Sequence, residues 1–183
     1  MPIREKAQLM SAAEIERTLL RLAHEIVERN NGVGQLALVG IRRRGVPLAQ
    51  RLAARIEAIE RVRVPVGTLD VSLYRDDLST IGPQPVVEKN DVGCPVDGKT
   101  VVLVDDVLYT GRTTRASMNA LFEHGRPARV QLCALIDRGW RELPVEATYV
   151  GRHVQTSANE IIEVRLKEID SEERVALVEK FDG

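Results

Sequence analysis

The segment VVLVDDVLYTGRT, residues 101–113, carries the strongest chemical signal in the chain. Four apolar residues deliver Asp105 and Asp106 to the carboxyl end of a strand, the place where open α/β sheets hold their ligands. A small, hydroxyl-rich turn with Thr110, Gly111, Thr113 and Thr114 follows and opens the next helix. Backbone N–H groups in such a turn, the helix N-terminus behind them and the threonine hydroxyls make a cup for an anion, and Gly111 permits close approach. A phosphate suits that cup. Two carboxylates would repel phosphate, so they suit sugar hydroxyls, whose hydrogen bonds they accept, and Mg²⁺. A lone acid pair or a lone Thr-Gly turn is more often an ordinary loop or helix cap; here strand, acids, turn and helix occur in order. The lysine-bearing Walker phosphate loop is absent, and so is a GxGxxG fingerprint.

Further groups stand at comparable places. A basic turn ending in Gly45 follows the apolar run LALVGI, residues 36–41, and a second anion would sit there. Arg44 is the first choice for a ligand arm and Arg43 the second, against the plainer reading of a solvated turn. Residues 74–98 have no sustained period and hold Gly82, Pro83, Pro85, Gly93 and Pro95, as a lid or binding loop does, with Tyr74, Arg75 and Asp76 near its start.

The elements that must position these groups follow from periodicity. Residues 11–30 read as an amphipathic helix, with Ser11 as N-cap, Glu14 completing a capping box, and Ile15, Leu19, Leu22 and Ile26 on one face. The run at 36–41 is apolar throughout, as for a strand covered on both faces, and 46–59 resumes a helical period before a strand at 64–73. That is a βαβ unit, from which a parallel sheet follows. The rhythm repeats with a strand at 100–104, a helix at 113–124 and a strand at 130–136. Residues 139–159 read as irregular, 161–166 as strand-like, and 171–179 as a short amphipathic closing helix.

At 183 residues the chain fits one domain, and 44% hydrophobic with 29% charged residues excludes both a disordered segment and a membrane protein by composition. Aromatics at 3% argue against stacked-aromatic RNA platforms, and a net charge of -1 excludes a globally basic nucleic-acid binder while leaving room for a basic patch. Arg17, Arg21 and His24 on one side of the first helix are candidates for such a patch, as are Arg138, Arg141 and Arg152 further on. Cys94 and Cys133 are too few for a disulfide framework or a zinc cluster and are expected to be reduced. The start MPIREKAQLM lacks a leader-like apolar run, so the expected location is cytoplasmic.

In order and spacing, LAHEIVERN, LVGIRRRGVPLA, LYRDDLS, VDDVLYTGRT and DRGWRELP resemble the PyrR family of type I phosphoribosyltransferases, bifunctional pyrimidine operon attenuators with uracil phosphoribosyltransferase activity. The resemblance covers nearly the whole chain. It implies an α/β type I phosphoribosyltransferase fold over residues 1–183, a central mainly parallel sheet flanked by helices, with a small hood formed mainly by about 138–162. It implies conversion of uracil and phosphoribosyl diphosphate (PRPP) to UMP and diphosphate with Mg²⁺, alongside UMP- or UTP-responsive binding of pyrimidine operon leader RNA. The alternative is a phosphoribosyltransferase for another base, purine or orotate, without an RNA role.

By the same resemblance, Asp105 and Asp106 hold the ribose hydroxyls and Mg²⁺. Arg43, Arg44, Val107, Leu108, Tyr109, Thr110, Gly111, Arg112 and Thr113 complete the PRPP site, and Arg75 assists catalysis. Arg138 and Ile162 meet the base. RNA contact falls to Arg17, Arg21, His24, Arg138, Trp140 and Arg141, and the assembly is a homodimer or a dimer of such dimers. Three positions depart from the family pattern: Arg43 and Leu20 stand where Thr is typical, and Trp140 where His is usual.

Overall fold

The computed structural model describes residues 2–71 and 91–181. In chain order the elements are β1 (Ile3–Met10), α1 (Ala12–Arg29), β2 (Leu36–Ile41), α2 (Gly45–Glu60), β3 (Val66–Leu69), β4 (Thr100–Leu108), α3 (Arg112–Glu123), β5 (Arg129–Asp137), β6 (Tyr149–His153), β7 (Glu160–Arg165), α4 (Lys167–Asp170) and β8 (Arg174–Lys180). Five strands form a parallel sheet in the order β3-β2-β4-β5-β6. The chain thus doubles back across β2, and β4 lies at the centre.

Strand alternation divides the core in two. Leu36, Leu38, Val102, Val104, Cys133 and Leu135 face α1 and α2, while Val39, Ile41, Val101, Leu103, Leu132 and Ala134 face α3. Both faces are covered, which is why these strands read as unbroken apolar runs. α1 forms as its sequence requires: Ser11 Oγ accepts the Glu14 N–H at 3.3 Å and Glu14 returns the bond to Ser11 N–H at 3.1 Å. Its buried stripe is Ile15, Leu19, Leu22, Ala23 and Ile26. Burial pushes the Cys133 thiol up to about 12, so that cysteine behaves as an apolar filler.

The structure corrects several expectations. β4 does not stop at Val104 but continues through the acid pair to Leu108, because its backbone stays paired with β5 as far as Asp137. β3 is shorter than expected, and β6 forms within a stretch that reads as irregular because β5 offers it an open edge. Residues 171–179 are not a helix: only a single turn, α4, precedes β8, whose backbone pairs antiparallel with β1 on one side and β7 on the other. Val175 and Val178 favour a strand there.

The hood is correspondingly different from the expectation of 138–162. It is the three-stranded sheet β1-β8-β7, built from both ends of the described chain. Met10, Ile162, Val164, Leu166 and Val175 pass from it into the same core as α1 and α2. Among the described residues no helix is long and apolar enough to cross a membrane.

Candidate active site

A cavity of about 1000 Å³ opens where the carboxyl ends of β2, β3 and β4 meet the hood. Asp105 and Asp106 line it from the last residues of β4. Asp105 is only 8% exposed, and its Oδ1 accepts the Asp106 N–H at 2.9 Å, while Asp106 Oδ1 accepts the Val107 N–H at 2.8 Å. Each carboxylate is therefore oriented by the backbone of the next residue. Among the described residues no three His, Cys, Asp or Glu side chains gather into a metal cage. An acid pair of this kind fits Mg²⁺, which keeps several waters and takes one or two carboxylates together with substrate oxygens.

The turn from Tyr109 to Thr113 crosses the cavity floor and becomes α3. Gly111 caps that helix at φ +94°, where a side chain would be strained, and a Cβ would also press on Val145 at 3.1 Å. The Thr110 hydroxyl accepts the Arg112 N–H at 3.3 Å, and the Thr110 carbonyl accepts the N–H groups of Glu142 and Leu143 at 2.9 and 3.1 Å. Arg112 pairs with Glu142 at 2.8 Å. These bonds hold the turn open toward the cavity with the α3 N-terminus behind it, the arrangement that receives a phosphate.

The basic turn Arg42, Arg43 and Arg44 lines the facing wall, and the Arg42–Arg43 peptide is cis. Gly45 starts α2 so close to β4 that a Cβ would collide with the Val104 carbonyl oxygen. Arg43 is exposed. Arg44 is engaged by the hood, donating from Nε and Nη2 to Asp170 at 3.1 and 2.6 Å, and that hydrogen-bonded partner raises its pKa further.

On the hood side, Arg138 and Ile162 line the cavity together. Arg138 is 6% exposed and lies 4.0 Å over the Tyr109 ring; it donates to Thr156 Oγ1 at 3.2 Å and to the Glu160 carbonyl at 2.9 Å. Burial lowers its pKa. With a ring and a carbonyl against it, the guanidinium has little surface left for the RNA contact expected of it. Arg141 is also spent internally, donating to the Val145 and Tyr109 carbonyls at 2.8 Å each and to Asp137 Oδ2 at 2.6 Å. Burial pushes the Asp137 carboxyl up, but Arg141 and the Gly139 N–H outweigh it and hold it below the ordinary range.

The other expected RNA residues are more exposed than Arg138. Arg17, Arg21 and His24 are exposed on α1; Arg21 pairs with Glu25 at 2.7 Å and donates to the Gly151 carbonyl of β6 at 2.5 Å. Trp140 is 52% exposed at φ +62°, with its indole N–H donated to the Thr156 carbonyl. Tyr74, Arg75 and Asp76 lie outside the described residues.

Several residues at or beside the cavity lie beyond the expectations from sequence. Asp70 follows β3, Glu142 braces the turn of residues 109–113 and Ile161 adjoins Ile162, while Asp170, outside the lining, holds Arg44. A signal for Asp70 existed, since it follows an alternating run at a strand end. No local pattern marks Asp170, which lies 126 residues from its partner.

The model of the phosphoribosyl transferase domain matches residues 7–169. A bifunctional protein PyrR of Pelotomaculum thermopropionicum is 61% identical over 176 residues, covering 96% of this chain and 97% of that protein. One from Thermus aquaticus is 54% identical over 178 residues, covering 97% and 98%. Among solved structures, a hypoxanthine-guanine phosphoribosyltransferase of Bacillus anthracis superposes with a TM-score of 0.72 at 22% identity, covering 94% of this chain and 98% of that one. That likeness speaks to the fold, and the much higher identities extend over nearly all of both chains. By fold and by sequence, the chain belongs to the PyrR family of the phosphoribosyltransferases.

Proposed function

We propose that the chain is a uracil phosphoribosyltransferase, converting uracil and PRPP to UMP and diphosphate, and that it also regulates pyrimidine operon expression by binding leader RNA in response to UMP or UTP. The observation that carries the enzymatic half is one cavity holding an acid pair, a threonine turn at a helix N-terminus and a basic turn, with Arg138 and Ile162 beside them. Those are the complements of ribose hydroxyls, a 5′-phosphate, a diphosphate and a base. The bifunctional PyrR relatives support the pairing of the two roles. The protein works in the cytoplasm, as a homodimer or a dimer of such dimers.

Transfer forms the bond from uracil N1 to C1 of the ribose as the C1–O bond to diphosphate breaks, with the N1 proton released. Positive charge accumulates on the sugar at an oxocarbenium-like state. Asp105 and Asp106 accept hydrogen bonds from the ribose hydroxyls and place carboxylate charge beneath the ring. They are also the residues that would hold Mg²⁺, which when bound supplies charge neutralisation to the diphosphate. Backbone N–H groups from Thr110 to Thr113 hold the 5′-phosphate, and Arg43 and Arg44 meet the departing diphosphate. Arg75 is proposed to assist that departure.

A base panel tests this reading. Diphosphate release from PRPP should depend on uracil and not on hypoxanthine, guanine or orotate. Release driven by a purine or by orotate would replace it with the alternative of another base specificity.

A further inference from the structure

The turn joining β7 to β8, residues 166–173, is fastened to α2 at two places. Arg44, immediately before α2, grips Asp170 through Nε and Nη2. Arg51, seven residues on and so on nearly the same side of the helix, donates to both oxygens of Glu168 and of Glu173. The two fastenings differ in what lies beyond them. Arg51 also donates to Glu16 of α1 at 3.1 Å, whereas Arg44 lines the cavity with Asp105 and Asp106.

A guanidinium has five N–H donors in a rigid fork, and Asp170 engages only the Nε edge. Among the described residues the Nη1 end has no hydrogen-bond partner, and Arg44 lines the cavity. Asp170 is itself fixed, because its Oδ2 also accepts the Leu166 N–H at 2.9 Å and its side chain is only 13% exposed. Arg44 titrates higher for having this partner, and Asp170 titrates lower, so the pair stays ionised through the neutral range.

Resting on the function proposed above, we infer that Asp170 is a positioning residue for transfer: it locks one edge of the Arg44 guanidinium so that the other end meets the departing diphosphate. An arginine already aimed at growing negative charge need not be ordered as the C1–O bond stretches, so its contribution falls on the chemical step. The carboxylate never touches substrate. It acts through Arg44 alone.

The full-length protein with Arg44→Ala, Asp170→Ala, both changes, or Glu168→Gln tests this by steady-state kinetics and calorimetric titration of PRPP. Asp170→Ala should lower kcat about tenfold with KM for uracil unchanged, and should cost nothing further once Arg44 is Ala. Glu168→Gln loosens the same turn without touching Arg44 and should keep wild-type kcat. Asp170→Asn, which preserves shape, should show a smaller loss and serves if the Ala variant does not fold. An equal loss in both Arg44 backgrounds, or a like loss in Glu168→Gln, would mean a merely braced hood and overturn the inference. So would a gain in kcat, the result expected if Asp170 competed with diphosphate for Arg44. Wild type that fails to bind PRPP overturns the proposed function and this inference with it; wild type that binds and turns over, with Asp170→Ala its equal, overturns this inference alone.

Discussion

Asp105 and Asp106 occupy consecutive positions on a strand, so their side chains leave opposite faces unless the backbone turns, yet both line one cavity. Replacing both by Asn removes two charge-assisted acceptors from the ribose, and PRPP binding should weaken by about 2–4 kcal/mol in a calorimetric titration. Unchanged affinity would move the sugar site elsewhere. Gly45 makes a separate residue-scale prediction. Because a Cβ there meets the Val104 carbonyl, Gly45→Ala must push α2 away from β4 and should cost about 1–3 kcal/mol in denaturant unfolding. At this scale the acid pair and the Thr-Gly turn were legible, since their chemistry is local and contiguous. Arg138 was only half legible: its charge reads as surface, and nothing nearby in sequence shows that Tyr109 and the Glu160 carbonyl enclose it.

Strands buried on both faces announced themselves, as did the amphipathic α1, whereas β1, β6 and β8 did not. β2 and β4 are apolar runs whose neighbours are fixed by βαβ handedness. β1 is exposed from Ile3 to Gln8 and presents no period to read; its strand character comes from pairing with β8 at the far end of the chain. A side-chain tie adds to that pairing: Lys6 donates to Glu160 at 2.5 Å, joining β1 to the start of β7. Lys6 and the Ser157 N–H hold the Glu160 carboxyl down at about 2, against 4.5 for an ordinary glutamate. A depressed carboxyl stabilises the fold fully above its unfolded value and loses that contribution as pH falls through its folded value. Melting temperature should therefore decline between pH 4.5 and about 2 partly through this group, and Glu160→Gln should flatten the decline within that window. Equal pH profiles for variant and wild type would show the tie to be without consequence.

Across the whole molecule, two groups of basic residues stand apart: those whose bonds turn inward and those on the outer face of α1. Arg44 and Arg138 line the cavity, and Arg141 is bonded beside it to Asp137 and to the Tyr109 carbonyl. Arg17 and His24 belong to the second; both are exposed, and among the described residues neither forms an ion pair. Arg21 pairs with Glu25 and bridges from this face to the Gly151 carbonyl of β6, where Arg152 and His153 are also exposed. If leader RNA binds there, each phosphate contact releases counterions, and losing one flattens the slope of log affinity against log salt by roughly 0.7–0.9. Arg17→Ala should show that change, while Arg138→Ala should impair uracil turnover and leave the slope alone. The nucleotide link adds a sign that can be checked in both directions. UMP that strengthens RNA binding must itself bind more tightly, by the same factor, to protein saturated with RNA. A wild-type protein that binds its own leader no better than a scrambled transcript with UMP present would have kept the transferase and lost the regulator, with Leu20 and Trp140 the residues to revert first.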